Sequence, residues 1–216
     1  MAELTESSRR TLPRGRNALD PELVAADQRC RLLEATKSLV VESGFSDMRV
    51  TDIVARAGVA KPRFYELFES KAGCFLALID LHFAELTGGI AKRLDPAGTV
   101  EERIWQGMTA LVELVREDRS RAQIIFVEGP AAGREALDRI GAGNDLLAAF
   151  YVSLREETRA RDASIPPLSQ TRASAIVGAI SEAISADLRH GATLEPDALR
   201  DELVEIVTLI ATGHPA

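Results

Sequence analysis

The chain has 216 residues and a mass of 23.4 kDa, enough for one globular domain or one plus a small partner. Apolar residues make up 46% and charged residues 27%, which excludes a disordered or fibrous chain; the longest purely apolar run, Leu146 to Val152, falls far short of the ~18 residues that cross a bilayer. The net charge of −7 argues against a nucleic-acid partner until it is divided: residues 1–71 hold twelve Lys/Arg against eleven Asp/Glu, and residues 72–216 hold fourteen against twenty-two.

Residues 1–20, with Arg9, Arg10, Arg14 and Arg16 and no acid between them, read as a flexible basic arm able to meet a polyanion. No apolar stretch of signal-peptide length lies in the first thirty residues, and two cysteines, Cys30 and Cys74, make no disulfide framework. A cytoplasmic protein with no membrane contact is expected. Asp20 is a candidate N-cap with Pro21 in the first turn of a helix to about Ser43, whose apolar stripe is Leu32, Ala35, Leu39 and Val40; Gly44 stops it. Short helices are predicted over Val50 to Ala57 and Lys61 to Phe68, with Gly58 between them. Ser70-Lys71 opens a helix towards Leu94, which Pro96 and Gly98 end. Further helices are predicted over Val100 to Glu117, Arg119 to Val127, then to about Arg161 after a break at Gly129-Pro130, and finally Ser169 to His190 and Pro196 to Thr212. Ile165-Pro166-Pro167 reads as a linker. Alternating strand-type segments are absent, so the fold class is all-α.

Two short helices joined by a glycine turn behind a long helix have the layout of a helix-turn-helix. In such a unit the first turns of the second helix enter the major groove, which makes Lys61, Pro62, Arg63 and Tyr65 the candidate readers, with Phe64, Leu67 and Phe68 at core spacing. Arg63 suits guanine edges, Lys61 a phosphate or a base, and Pro62 a thymine methyl.

The order Gly44-Phe45, Asp52-Ile53-Val54-Ala55-Arg56-Ala57-Gly58-Val59, Phe64-Tyr65-Glu66-Leu67-Phe68 and Ser70-Lys71 resembles the TetR family of transcriptional regulators. The resemblance covers about residues 12–80 and implies a homodimer on a palindromic double-stranded DNA operator. It makes Thr51 and Lys71 phosphate contacts, and extends the grip through Arg14 and Arg16 into a minor groove unless these belong to a solvated tail. Three positions depart from the family pattern. Arg49 stands where the second helix often has a Ser or Thr N-cap and adds a phosphate contact. Ala60 replaces a usual Ser, at a capping cost of ~1 kcal/mol. Glu66, beside the DNA backbone, is mildly repulsive.

The implied architecture is an N-terminal three-helix DNA-binding domain over residues 21–71, then a larger helical effector-binding and dimerisation domain over 72–216, about nine helices together. The bulky residues Trp105, Met108, Phe126, Phe150 and Tyr151 on the middle helices are the candidate pocket for an unknown, mostly apolar small-molecule effector. Ile176, Ala179, Ile180, Ala183 and Ile184, with Leu203, Val207 and Ile210, form small-and-branched stripes suited to an intermolecular four-helix bundle; the alternative is that they close the monomer core. His82, His190 and His214 are scattered with no metal-ligand spacing, and no nucleophile elbow or phosphate loop occurs, so neither catalysis nor a metal or cofactor is expected. Cys30 and Cys74 read as buried structural thiols. The function read from the sequence is a ligand-released repressor. The alternative is a DNA-bound helical protein that recruits a protein partner and has no small-molecule effector.

Overall fold

The computed structural model describes residues 20–161, 163–191 and 195–212, with the side chains described up to position 209. Arg14 and Arg16 of the basic arm lie outside the described residues. Every regular element among the described residues is helical, in the order α1 (Pro21–Asp47), α2 (Val50–Ala57), α3 (Lys61–Leu67), α4 (Lys71–Ala91), α5 (Val100–Glu117), α6 (Arg119–Gln123), a π-helical turn (Ile124–Glu128), α7 (Gly129–Ala131), α8 (Arg134–Arg161), α9 (Gln170–Arg189) and α10 (Pro196–Thr212).

Local chemistry sets many of these ends. The Asp20 carboxylate accepts from Glu22 N at 2.9 Å, Ser70 Oγ from Gly73 N at 3.0 Å, and Ser169 Oγ from Arg172 N at 3.3 Å. Thr99 and Glu102 satisfy each other's backbone N–H groups at the start of α5 in a reciprocal capping box. Gly44 adopts φ 77°, so α1 kinks there and continues for one more turn to Asp47, where the sequence had suggested a stop. The expected break at Gly129-Pro130 falls later: Pro130 sits in a first turn, where its missing N–H costs nothing, and the chain reverses at Gly133 with φ 107°.

Two apolar cores run through the molecule. The first joins Leu32, Val40 and Met48 to Ile53, Phe64 and Phe68, and then to Cys74, Phe75, Leu78 and Ile79 of α4. The second gathers Leu86 of α4 with Ile104, Met108, Leu111, Ile125, Ala148, Ile176, Ile184 and Leu203. Helix α4 therefore serves both cores, and a boundary drawn at position 71 cuts the first core between Phe68 and Cys74. By length and mean hydropathy (1.4) α4 would suffice to cross a membrane, a property its purely apolar runs had concealed; here Phe75, Leu78 and Ile79 lie in the first core and Leu86 in the second.

The stripes read as a dimer seam are corrected by this packing. Ile176, Ile184, Leu203 and Val207 are fully buried within the single chain and Ile180 nearly so, because α9 packs on α8 and α10, and α10 packs on α5. Their side chains close the monomer core and have no free surface for a partner. Ala179 and Ala183 are half-buried, and the Ile210 side chain lies outside the described residues.

Candidate nucleic-acid interface and effector cavity

Helix α3 is held against α1 and α2 by its apolar face, with Phe64 buried in the first core and edge-on to Tyr65 at 5.3 Å between ring centroids. The turn before it needs a left-handed residue, which Gly58 supplies at φ 62°. Arg31 of α1 clamps that turn: its Nη1 donates to Ala57 O at 3.1 Å, while its Nε pairs with Asp27 at 3.0 Å. Arg56 at the end of α2 pairs with Glu42 at 2.5 Å, and this hydrogen bond holds the Glu42 carboxyl below its ordinary range. The head is thus fastened to α1 at two points.

With Phe64 turned inwards, Lys61, Pro62 and Tyr65 of α3 are exposed, as are Arg49 and Thr51 at the start of α2. Arg49 occupies the N-cap position with no side-chain cap bond, and the Thr51 hydroxyl has only a long contact to Asp52 Oδ1 at 3.4 Å. Arg63 is half-buried. Its Nε donates to Gln28 Oε1 at 2.7 Å and its Nη1 pairs with Glu66 Oε2 at 2.5 Å. Sequence reasoning missed Gln28, which lies 35 positions away and is brought beside α3 only by the packing of α1, and it gave Glu66 a repulsive role instead of a partner. The signal for Glu66 was present, since it stands three residues after Arg63 on one helix.

Lys71 also has a different placement from the one expected. Its Nζ donates to Phe45 O at 3.0 Å and Ser46 O at 3.3 Å and lies 4.5 Å from the centroid of the Phe45 ring. Two of its three donors thus close the end of α1, and the phosphate contact expected of it would fall to the third.

Below the head, a partly open apolar cavity of about 80 Å³ lies among α4, α5, α8 and α9. Met108, Phe126, Phe150 and Tyr151 line it, together with Phe83, Leu86 and Ile90 of α4, which sequence reasoning had not included. Trp105 does not line it: the indole is half exposed on the outer face of α5, with the Arg200 guanidinium 5.5 Å from the ring centroid. The inward positions of α5 are Ile104, Gly107, Met108 and Leu111, at spacings of three and four, and Trp105 falls at the edge of that stripe and turns outwards. Burial pushes the Tyr151 phenol far above its ordinary range. Beside the cavity, a more open cleft of about 340 Å³ shares Ile104, Tyr151 and Leu154 with it and adds Glu101, Arg155, Thr158 and Ser164.

The cysteines differ in kind. Cys74 is buried, bonded to the Thr36 hydroxyl at 3.3 Å, and burial pushes its thiol up to about 11; Cys30 is exposed, contrary to the expectation of two buried thiols. Among the described residues there is no group of three His, Cys, Asp or Glu placed to hold a metal ion.

Residues 32–78 match the family model of bacterial regulatory proteins, tetR family. The transcriptional activator FasR of Mycolicibacterium smegmatis is 27% identical over 126 residues, 58% of either chain, and the regulator EthR of Mycobacterium tuberculosis is 29% identical over 101 residues, 46% of either. The chain thus spans only about half the length of these curated relatives. Among solved structures, FadR from Bacillus subtilis, in complex with stearoyl-CoA, superimposes with a TM-score of 0.72 over 86% of this chain and 98% of that one, at 16% identity, which is a likeness of fold alone.

Proposed function

This chain belongs to the tetR family of bacterial regulatory proteins, and from that premise we propose that it is a ligand-responsive repressor that binds a palindromic operator as a homodimer. The observation that carries this reading is the double membership of α4. One end of this helix fills the core behind α3 and the other end walls the apolar cavity, so a change in the cavity is mechanically joined to the reading helix. Relatives named as an activator and a regulator support the DNA-binding regulator in this reading, and a fold neighbour solved with stearoyl-CoA is in keeping with an apolar effector.

Lys61, Pro62, Arg63 and Tyr65 are the readers, while Arg49 and Thr51, with Arg14 and Arg16 of the arm, are the backbone contacts. The amino-terminal 71 residues act as arm and DNA-binding domain, and the remainder as effector and dimerisation domain. In the dimer, the partner packs on the outward faces of α9 and α10, where Ala175, Gly178 and Leu209 are exposed and nothing lies within 4 Å of a side chain added at Gly178.

A cavity of about 80 Å³ is well below the roughly 300–1,000 Å³ of a typical pocket for a drug-sized ligand. An effector therefore fits only a wider form of the bundle, reached by displacing Phe83, Leu86 and Ile90 on α4. That difference in fit is the differential affinity that a ligand must have to shift a two-state equilibrium; moving it from 1:99 to 99:1 takes about 5.5 kcal/mol. The internal cavity counts against the alternative of a filled helical bundle that only recruits a protein partner. Linkage supplies the experiment: saturating operator DNA weakens effector binding by the same factor as effector weakens operator binding. An effector affinity unchanged by saturating operator would overturn this mechanism.

A further inference from the structure

Arg63 differs from the other three readers on α3. Lys61, Pro62 and Tyr65 stand exposed, whereas the Arg63 guanidinium is half-buried and held on two sides. Its Nε donates to Gln28 Oε1 at 2.7 Å where α1 crosses α3, and its Nη1 pairs with Glu66 on its own helix. The two partners are unlike. Glu66 is charged and 59% exposed, so its pair with Arg63 is solvated and readily exchanged for another acceptor. Gln28 is neutral and half-buried, on the long helix that supports α3. A guanidinium has only donors, so the amide must turn its oxygen towards Arg63, and the bond fixes the plane of the group without cancelling its charge.

The consequence for reading DNA is geometric. A guanidinium meets a base either with its Nε–Nη2 edge or with its Nη1–Nη2 end. Gln28 occupies Nε and closes the edge, which leaves the end for the base once Glu66 turns to solvent. Two parallel donors of this kind match O6 and N7 of guanine. The neighbouring contacts of α1 do something else: Arg31 Nη1 holds the Ala57 carbonyl at 3.1 Å, and the Arg29 guanidinium lies 4.6 Å from the Phe68 ring centroid. Those two fix α3 as a body, while Gln28 reaches a side chain of its DNA-facing surface.

We propose that Gln28 is a positioning residue for sequence reading: it holds Arg63 end-on to the groove and thereby sets the base preference at the step that Arg63 meets. This rests on the reader role given to Arg63 above and adds a residue of α1 to the specificity of α3.

The test is selection by the full chain from a pool of duplexes of randomised sequence, sequenced to give the base preference at each position. Wild type, Gln28→Met, Arg63→Ala and the double variant are run side by side. Met keeps the length and helix preference of Gln and replaces the amide oxygen by a weakly accepting thioether. The wild type enriches a motif in which Arg63→Ala flattens one position of each half-site. Gln28→Met lowers the preference at that same position about two- to tenfold, the worth of one hydrogen bond, and leaves the other positions as they were. Affinity for random duplex DNA and its salt dependence stay unchanged, because no charge is altered. The double variant matches Arg63→Ala, because Gln28 acts only through that side chain. A loss spread over every position of the motif is the mark of a displaced α3 and overturns the proposal. Weaker binding of Gln28→Met to random DNA overturns it as well, by making Gln28 a backbone contact in its own right. A Gln28→Met motif identical to that of the wild type overturns it and leaves Arg63 standing as a reader. If the wild type enriches no motif, or Arg63→Ala leaves every position unchanged, the reader role falls and the proposal with it.

Discussion

Arg63 gives the clearest competition between effects at the level of single residues. In the free protein it is committed to Gln28 and Glu66, with side-chain exposures of 31% for Arg63 and 59% for Glu66, so the ion pair is largely solvated. A solvated pair is worth about 0–1 kcal/mol, whereas a paired contact to a guanine edge is worth about 1–3 kcal/mol of discrimination, so the proposed reader role does not require Arg63 to break a strong ion pair. Glu66→Ala is therefore expected to raise affinity for random duplex DNA, since it removes a negative charge and frees Arg63, and to narrow the ratio of operator to random binding. Filter-binding titrations at two salt concentrations check this, and a weaker random affinity in the variant would contradict it. The exposure of Lys61, Pro62 and Tyr65 was legible in the sequence because one helix turn fixes which side faces Phe64. The Gln28 contact was not, because it depends on how two helices cross. Cysteine chemistry separates at the same scale: with its thiol at about 11 and its surroundings closed, Cys74 resists an aromatic disulfide reagent at pH 8, so the native protein is expected to release one equivalent promptly, from exposed Cys30. Two prompt equivalents would show that Cys74 is accessible.

Among the elements, α4 contributes to both cores, and it carries a buried histidine, His82. Nδ1 of His82 donates to Glu85 Oε2 at 3.1 Å, while Nε2 is buried without a partner. Lys37 of α1, Asp118 and Arg121 of the α5–α6 corner, Cys30, and Glu85 on its own helix line the recess around it, and Lys37 Nζ reaches Asp118 at 2.8 Å to tie α1 to that corner. Burial, helped by the positive charges of Lys37 and Arg121, outweighs Glu85 and holds the imidazole below its ordinary value of 6.5. The unfolded chain consequently takes up this proton at higher pH than the folded one, so stability is full above about 6.5 and falls as the pH drops through the folded value. Urea midpoints measured from pH 8 to pH 5 are expected to fall more steeply for the wild type than for His82→Gln, and parallel curves would count against the buried neutral imidazole. Helix stripes and caps such as Ser70, Thr99 and Ser169 were readable along the chain because each depends on residues three or four apart. What a stripe packs against is not local. The stripe of α9 announced a buried face in either case, and only its contacts with α8 and α10 show that the cover comes from the same chain.

At the scale of the whole molecule, a mixed-charge head of some seventy residues is carried on an acidic body. On the proposed reading, an acidic body is repelled by the DNA backbone while the mixed-charge head is not, which would favour docking through α3 over nonspecific adhesion. The all-α class and the head were legible because several spaced motifs occur in order, whereas the cavity was only partly so: Met108, Phe126, Phe150 and Tyr151 line it, but Trp105 faces outwards and the α4 wall went unrecognised. The central claim is that this head reads a defined DNA sequence. The most direct measurement is selection of fragments from sheared DNA of the source genome at moderate salt, followed by sequencing, with the wild type and Arg63→Ala side by side. The account predicts a few sites sharing one palindrome, lost or degenerate with Arg63→Ala at a cost of about 1–3 kcal/mol. Diffuse recovery that disappears as salt is raised and is the same for both proteins would mean that the contacts are made to phosphates alone, and would contradict it.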